Sequence, residues 1–200
     1  QFIHLDLTLE NYKRLFADIP IAQYFLNSLI VAIAATAGQV VFSALAGYAF
    51  ARFNFRARNI VFLIILITMM IPPQVNIIPL FFMMRELHLI NTYPALILPA
   101  MFGGLGIFMI RQYFLAFPKD LEEAARIDGC NYFQTFWRVV LPLALPVIAT
   151  LSIFTFVTTW NSFMWPLIST NTEALRTLPV GLAIYKGSFR ELTQWGELLA

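Results

Sequence analysis

The sequence is poor in charged residues, and the few that it has are grouped. Asp, Glu, Lys and Arg make up 12% of its 200 residues, whereas hydrophobic residues make up 60%. Four segments contain none of these charged residues: 19–51, 59–84, 87–110 and 139–172. Each exceeds the roughly 20 apolar residues that an α-helix needs to cross a bilayer. This composition excludes an ordinary soluble domain and predicts a protein that spans the membrane.

Ionisable groups are missing from the predicted spans, which we place at 22–50, 60–84, 92–110 and 140–168. Ion-coupled carriers hold such groups in their membrane helices, and channels carry a selectivity filter. The sequence shows neither feature, so a secondary carrier or channel that is not coupled to an ATPase is the weaker alternative. Energy for pumping would instead enter from outside the membrane.

Cysteine and histidine are also scarce. Cys130 is the single cysteine and has no disulfide partner, so we predict a small interior residue in a reducing compartment. His4 and His88 lie far apart on predicted external segments, without the spacing of metal ligands. A membrane-embedded enzyme would need a nucleophile with its base or clustered ligands. We therefore assign no catalytic residue, no metal and no bound cofactor to this chain.

Basic residues set the predicted orientation. The segments that join spans one to two and three to four carry Arg52, Arg56, Arg58, Arg111, Lys119, Arg126 and Arg138. Short loops rich in Lys and Arg stay in the cytoplasm. We therefore place the segment 111–138 in the cytoplasm and the segments 1–20, 85–91 and 169–195 outside. Because the charges lie in short loops and not on one face, they indicate no nucleic-acid partner.

The segment lengths predict the fold class, an all-α membrane protein built as a polytopic bundle of transmembrane helices in one domain, 1–200. Strands of a β-barrel would be short and alternating, unlike these apolar runs. The chain begins at Gln1 without an initiator methionine and ends as another apolar run begins. We therefore expect a fragment of a longer protein.

Prolines interrupt the second predicted span. Pro72 and Pro73 precede Asn76, and Pro79 follows. Proline removes a backbone donor and clashes with the preceding turn, so a continuous helix is not expected there. A broken helix at a translocation pathway and a simple kink both remain open. Asn76 is accordingly a candidate pathway residue.

Mild polar residues follow two of the spans at helical spacing. They are Thr36, Gln39, Ser43 and Gly47 in the first span, and Ser152, Thr155, Thr159 and Ser162 in the fourth. Small and hydroxylated residues also let helices pack closely, and packing is the favoured interpretation. Thr155 and Thr159 are nevertheless candidate pathway residues.

Aromatic residues surround one amide near the end of the fourth span. Asn161 lies between Trp160 and Trp165. Aromatic rings that flank an amide suit a sugar ring, yet tryptophans that anchor a helix at the membrane interface would give the same pattern. Both interpretations stay open, and all three residues are candidate pathway residues.

The cytoplasmic segment 111–138 predicts two helices with a turn between them. Pro118 suits a first helical turn, and the acidic residues after it complement the positive end of the helix dipole. Glu122 and Arg126, four residues apart, are expected to pair. Gly129 should end this helix in the left-handed conformation. Leu121, Ala124 and Ala125 form its small apolar face.

The second helix of this segment is aromatic. Asn131 and Gln134 resemble a capping box at its start. Its predicted apolar face consists of Tyr132, Phe133, Phe136, Trp137 and Val140. An amphipathic hairpin on the lipid headgroups would explain the aromatic residues. It would not explain small alanines on the first helix, so a docking function for this hairpin is preferred.

One gapped motif runs through this hairpin. Glu123-Ala124-Ala125 is followed by three residues, Gly129, nine residues, Val139, one residue and Leu141-Pro142. It resembles the coupling loop of bacterial and archaeal ATP-binding-cassette importer permeases, with Val139 where isoleucine is usual and with the frequent Asp128. Further segments resemble the carbohydrate-uptake branch and its smaller maltose-type subunit, among them Met70-Ile71-Pro72 and Leu178-Pro179-Val180-Gly181-Leu182.

This resemblance implies a type I importer permease fold that lacks its first and last spans here, in a bacterial or archaeal cytoplasmic (inner) membrane. It implies a second, homologous permease subunit, an ATPase dimer that holds ATP and Mg, and an extracytoplasmic solute-binding protein that meets the segment 169–195. The solute would be a sugar, an oligosaccharide or glycerol phosphate. The residues implied in ATPase coupling are Glu123, Ala124, Ala125, Asp128, Gly129, Leu141 and Pro142.

Overall fold

The computed structural model describes residues 19–188, with side chains as far as Tyr185. Its helices are α1 (Ile21–Arg52), α2 (Arg58–Met69), α3 (Pro73–Glu86), α4 (Tyr93–Ile97), α5 (Gly104–Ala116), α6 (Asp120–Ile127), α7 (Tyr132–Leu143), α8 (Leu145–Trp160), α9 (Met164–Ser169) and α10 (Leu178–Ser188). This part of the chain contains no strand, and the predicted all-α fold class is confirmed. The predicted external segments 1–20 and 169–195, with His4, extend beyond the described residues.

Two stretches are long and apolar enough to cross a membrane as single helices. They are α1 and Tyr93–Ala116, in which a 3-10 turn at Leu98–Met101 joins α4 to α5. Two further pairs would each form a span if a bent pair crosses as one unit: α2 with α3, bent by 103°, and α7 with α8, bent by 73°. The four predicted spans fall on these four stretches, and the number of crossings stays a prediction.

The bend between α2 and α3 lies where the prolines are. Pro72 adopts an extended conformation, and Pro73 begins α3, where a missing backbone donor costs nothing. Pro79 lies inside α3, seven residues after Pro72. The predicted break in the second span is thus confirmed.

Helix α1 runs through the centre of the bundle and packs against α5 and α8. Its small residues allow this close approach: a Cβ atom at Gly47 would lie 2.6 Å from Cγ2 of Ile110. The shared core is buried at Ala44, Tyr48, Ala51, Ile110, Phe114, Phe136, Val140, Ala144 and Leu151. The polar row of α1 thus joins the packing at Ser43 and Gly47, which are both buried.

The cytoplasmic hairpin follows its local sequence signals closely. Gly129 ends α6 at φ 87°, in the left-handed region that was predicted. The capping box is present, since Asn131 Oδ1 accepts from the Gln134 amide at 2.8 Å while Gln134 Oε1 accepts from the Asn131 amide at 3.0 Å. Pro118 lies before the helix rather than in its first turn, because α6 begins at Asp120.

Helix α7 contains a π-helical segment at Phe136–Val140 and ends at the 73° bend into α8. Its predicted apolar face is split. Phe136 and Val140 are buried in the bundle core, whereas Tyr132, Phe133 and Trp137 are exposed by 52%, 68% and 47%. The bundle core therefore covers only part of the predicted apolar face.

Candidate functional site

The outer face of α6 offers a small, mostly uncovered surface. Glu123, Ala124, Asp128 and Gly129 are exposed, and Ile127 is 87% exposed. This side of α6 therefore presents one large apolar side chain among small residues and carboxylates. We call this surface the docking face.

Not every residue of the motif belongs to the docking face. Ala125 is 7% exposed and turns towards the bundle, and its carbonyl accepts from the Cys130 amide at 3.0 Å. Leu141 packs against the bundle core, and Pro142 lies beside it near the bend into α8. Ala125 and Leu141 therefore face the bundle, whereas Pro142 is exposed at the bend.

The inner side of α6 carries a polar contact that the sequence did not reveal. The Glu122 carboxylate lies 2.5 Å from Arg52 Nε and accepts from the Tyr48 hydroxyl at 3.0 Å. Arg52 also donates to the Phe117 carbonyl at 2.9 Å. The predicted pair of Glu122 with Arg126 was wrong, because the carboxylate turns inward to meet a buried arginine of α1. We call Tyr48, Arg52 and Glu122 the α1–α6 tie.

Arg126 instead connects the two helices of the hairpin. Its guanidinium lies 4.4 Å from the ring centre of Tyr132, and its Nη2 donates to the Tyr132 hydroxyl at 2.9 Å. A guanidinium over an aromatic face is attracted by the ring quadrupole. The angle between α6 and α7 is therefore held by a side-chain contact as well as by the Gly129 turn.

A second feature is a cavity of about 940 Å³ between α1, α3, α5, α8 and α9. Four of the six predicted pathway residues line it: Asn76, Thr155, Thr159 and Trp165. Trp165 is fixed by a hydrogen bond from its Nε1 to the Ala95 carbonyl, at 2.8 Å. The structure thus brings residues from two distant parts of the sequence, position 76 and positions 155–165, to one space.

The other two predicted pathway residues lie elsewhere. The Trp160 ring packs on Phe25 and Phe156, at centroid distances of 5.3 and 5.8 Å. The Asn161 amide donates to the Val157 carbonyl at 2.8 Å and so caps its own helix. Neither residue contributes to the lining of the cavity.

Several polar lining residues were not singled out as pathway residues. They include Gln74, Thr158 and Thr177. The Thr177 hydroxyl is buried without a hydrogen-bond partner among the described residues. Gln74 lies two residues from Asn76, so the proline-rich break itself was a signal for both. Nothing in the sequence indicated Thr177, because only the packing of the segment before α10 places it at the cavity.

Hydrogen bonds to the Asn91 side chain join two segments on the side of the bundle that we predict to be external. We call these contacts the Asn91 clip. Asn91, at φ 62°, accepts on Oδ1 from the backbone amides of Asn171 and Thr172, at 2.9 and 3.0 Å. The Thr172 hydroxyl donates to the same atom at 3.0 Å. One side chain therefore joins the segment before α4 to the segment after α9.

Within residues 19–188, no group of three or more His, Cys, Asp or Glu side chains is placed to hold a metal ion.

Comparison with known proteins identifies the class to which this helical bundle belongs. Residues 39–190 match the family described as "Binding-protein-dependent transport system inner membrane component". The chain belongs to this family. Its resemblance to importer permeases, inferred from the hairpin motif, is thereby confirmed.

Individual relatives carry different solutes. The chain is 41% identical over 178 residues to the arabinooligosaccharides transport system permease protein AraQ of Halalkalibacterium halodurans, with 88% of this chain and 64% of that protein covered. It is 36% identical to the sn-glycerol-3-phosphate transport system permease protein UgpE of Yersinia pestis, with 90% and 64% covered. The chain therefore spans about two-thirds or less of the length of these relatives.

A solved structure has the same fold. The crystal structure of a bacterial ABC transporter involved in the import of the acidic polysaccharide alginate contains a chain that superimposes with a TM-score of 0.84. The two sequences are 27% identical, and the alignment covers 98% of this chain and 69% of the other.

Proposed function

We propose that this chain is the permease subunit of an ATP-driven importer and that it translocates a carbohydrate delivered by an extracytoplasmic binding protein. The observation that carries the proposal is the docking face, an exposed acidic and small-residue surface on a short helix that is held by a left-handed glycine and a capping box. The names of the relatives, which include an arabinooligosaccharide permease, support it.

In this proposal the chain hydrolyses nothing itself. An ATPase dimer with ATP and Mg would bind the docking face, and a second, homologous permease would complete the pathway. Four crossings would place the hairpin in the cytoplasm and the Asn91 clip outside a bacterial or archaeal inner membrane. The basic residues around the hairpin, such as Lys119 and Arg138, support this orientation.

The chemistry of the cavity supports a carbohydrate. Neutral donors and acceptors at Gln74, Asn76 and Thr155 can exchange hydrogen bonds with hydroxyl groups, and the aromatic residues Phe163 and Trp165 line the same space. Every described lining residue is uncharged. An anionic solute such as glycerol phosphate would therefore take its counter-charge from the partner permease or the binding protein.

The test uses the full-length protein in liposomes with its ATPase, its partner permease and its binding protein. We expect labelled sugar to accumulate only when ATP reaches the ATPase. Glu123→Lys should abolish both uptake and ATPase co-purification, because it reverses a charge on the docking face. Glu86→Lys is the matched control, since Glu86 is an exposed glutamate at the end of α3, far along the chain from the hairpin.

Three results would contradict the proposal in whole or in part. Accumulation against a gradient without ATP would favour a secondary carrier, and uptake at the wild-type rate by Glu123→Lys would place ATPase coupling elsewhere. Uptake driven by ATP but confined to a solute without hydroxyl groups would leave the importer intact and overturn the carbohydrate assignment.

A further inference from the structure

We infer that the α1–α6 tie is the connection through which movement of the cytoplasmic hairpin reaches the cavity. The inference rests on the proposed function, because it assigns a route to the motion that the ATPase would impose on α6. It makes Arg52, Glu122 and Tyr48 positioning residues that touch neither solute nor nucleotide.

The two faces of α6 make different contacts. Glu123 points to the exposed surface, while the adjacent Glu122 points inward, with its side chain only 12% exposed. Both oxygens of Glu122 are occupied, one by Arg52 Nε and the other by the Tyr48 hydroxyl. The outer carboxylate is thus free for a partner, and the inner one is committed to α1.

The contacts of the α1–α6 tie oppose sliding of α6 along α1. The Arg52 side chain is only 7% exposed and is fixed from a second direction by the Phe117 carbonyl, immediately before the hairpin. Apolar surfaces can shift past one another at small cost, whereas a buried arginine and carboxylate hold one geometry because separation leaves charges without partners. A displacement of α6 therefore has to move the end of α1 with it.

Helix α1 offers an unbroken route from the tie to the cavity. It is a single helix of 32 residues, about 48 Å long at 1.5 Å per residue. Arg52 and Tyr48 lie in its last two turns, and Gln39, Val31 and Ser28 of the same helix line the cavity. A rigid helix transmits a displacement at one end to side chains along its length.

Both covalent routes from the hairpin to the cavity are interrupted. One runs through α7, whose Phe136–Val140 segment is π-helical, and then through the 73° bend at Ala144 before α8 reaches the cavity at Leu151. The other runs from α6 through the non-helical residues 117–119 into α5, which reaches the cavity at Gly104–Gly106. The path through Glu122 joins α6 directly to a single helix by side-chain bonds and contains no such interruption.

The experiment measures solute imported per ATP hydrolysed by the full complex in liposomes. Glu122→Gln keeps the shape of the side chain but removes its charge, and we expect the ratio to fall about fivefold or more while the ATPase stays bound. Tyr48→Phe removes one hydrogen bond, and the ratio should fall about twofold. The exchange Arg52→Glu with Glu122→Arg should recover part of the loss. Arg56→Gln is the control, because Arg56 is an exposed arginine in the loop between α1 and α2.

The outcomes separate the inference from the proposed function. If the wild-type complex imports no solute with ATP, the proposed function fails. If the wild type is coupled and both Glu122→Gln and Tyr48→Phe keep its ratio, the tie is overturned. Loss of the bound ATPase together with a lower melting temperature would also overturn it, because the tie would then only stabilise the hairpin. Should Glu122→Gln not reach the membrane, Tyr48→Phe decides the question alone.

Discussion

Substitutions of Gly129 allow the effect of backbone strain on the hairpin to be measured separately from the effect of added side-chain atoms on ATPase binding. Gly129 has φ 87°, and a Cβ atom built on it meets no other atom within 4 Å. A side chain at this position therefore strains the backbone without creating a clash at Cβ. A residue with a Cβ atom in the left-handed region costs about 1–2 kcal/mol. Gly129→Ala, Gly129→Leu and Gly129→Trp should all destabilise the hairpin by this amount, whatever their size.

The cost should appear as local opening of the hairpin. Hydrogen–deuterium exchange of the amides in α6 and the start of α7 reports the free energy of that opening. A change of about 1–2 kcal/mol corresponds to exchange that is about 5 to 30 times faster. Gly129→Asn should exchange more slowly than Gly129→Ala, because asparagine tolerates the left-handed region better.

Binding of the ATPase to the docking face, unlike amide exchange, should depend on the size of the side chain at position 129. Retention of the ATPase during purification should decline from Ala to Leu to Trp, because the added atoms protrude from the docking face. Ala124→Leu is the matched variant, since Ala124 is exposed and lies within α6. It should weaken retention without faster exchange. Exchange that rises steadily with side-chain size would show a steric conflict and refute the reasoning from open space.

Three further changes have expected outcomes. Asn131→Ala removes the bond that Asn131 Oδ1 accepts from the Gln134 amide, leaves the backbone amide of residue 131 able to donate to Gln134 Oε1, and should destabilise the first turn of α7 by about 1 kcal/mol, measured by amide exchange. Gly47→Leu forces atoms against Ile110 and should cost about 1–3 kcal/mol in thermal unfolding, whereas Ala37→Leu, on the exposed side of α1, should not. Asn91→Ala should speed exchange at 171–172, and protection equal to wild type there would contradict the clip.

Local features of the hairpin were predictable because their causes are local. The left-handed Gly129 and the Asn131 capping box depend on residues within one turn of each other, and the structure contains both. The break at Pro72 is of the same kind, since the two consecutive prolines remove two backbone donors at one point of the chain, although the single Pro79 is accommodated within α3. Such signals can be read without knowledge of tertiary contacts.

The partner of Glu122 could not be predicted from spacing. Helical geometry offers Arg126 at four residues, an exposed pairing that contributes only a few tenths of a kcal/mol. Arg52, 70 residues away along the chain, is buried and loses far more if it has no acceptor. The tertiary contact therefore prevails, and the sequence contains no local sign of it.

The candidate pathway was predicted in part for a related reason. A polar residue in an apolar span lies on one face of a helix, but the sequence does not say which neighbouring helix that face meets. Thr155 and Thr159 reach the cavity, while Ser43 of the equally regular row on α1 is buried against α5. Asn161 bonds to its own helix end, a use of the amide that tryptophan neighbours do not reveal.

The bend at Ala144 shows how an irregular backbone is accommodated inside the bundle. Pro142 and Pro146 remove two backbone donors around it, which leaves carbonyl groups without helical partners. The Tyr113 hydroxyl donates to the Leu143 carbonyl at 2.6 Å, and Ala144 itself is fully buried. A side chain of α5 thus bonds to one carbonyl at this bend, and the bend does not line the cavity.

Four other interruptions of the helices do line the cavity. They are Ile71 between α2 and α3, Gly103 before α5, Ser162 between α8 and α9, and Thr177 before α10. Within a membrane, non-helical backbone is tolerated where protein covers it or where it faces water. The protein pairs some of these backbone groups itself, since the Gly103 carbonyl accepts from Gln39 Nε2 at 3.1 Å and the Ser162 amide donates to the Thr159 carbonyl at 3.1 Å. Where a backbone group that faces the cavity has no protein partner, water can bond to it, and a solute rich in hydroxyl groups can replace that water with little loss of hydrogen bonding.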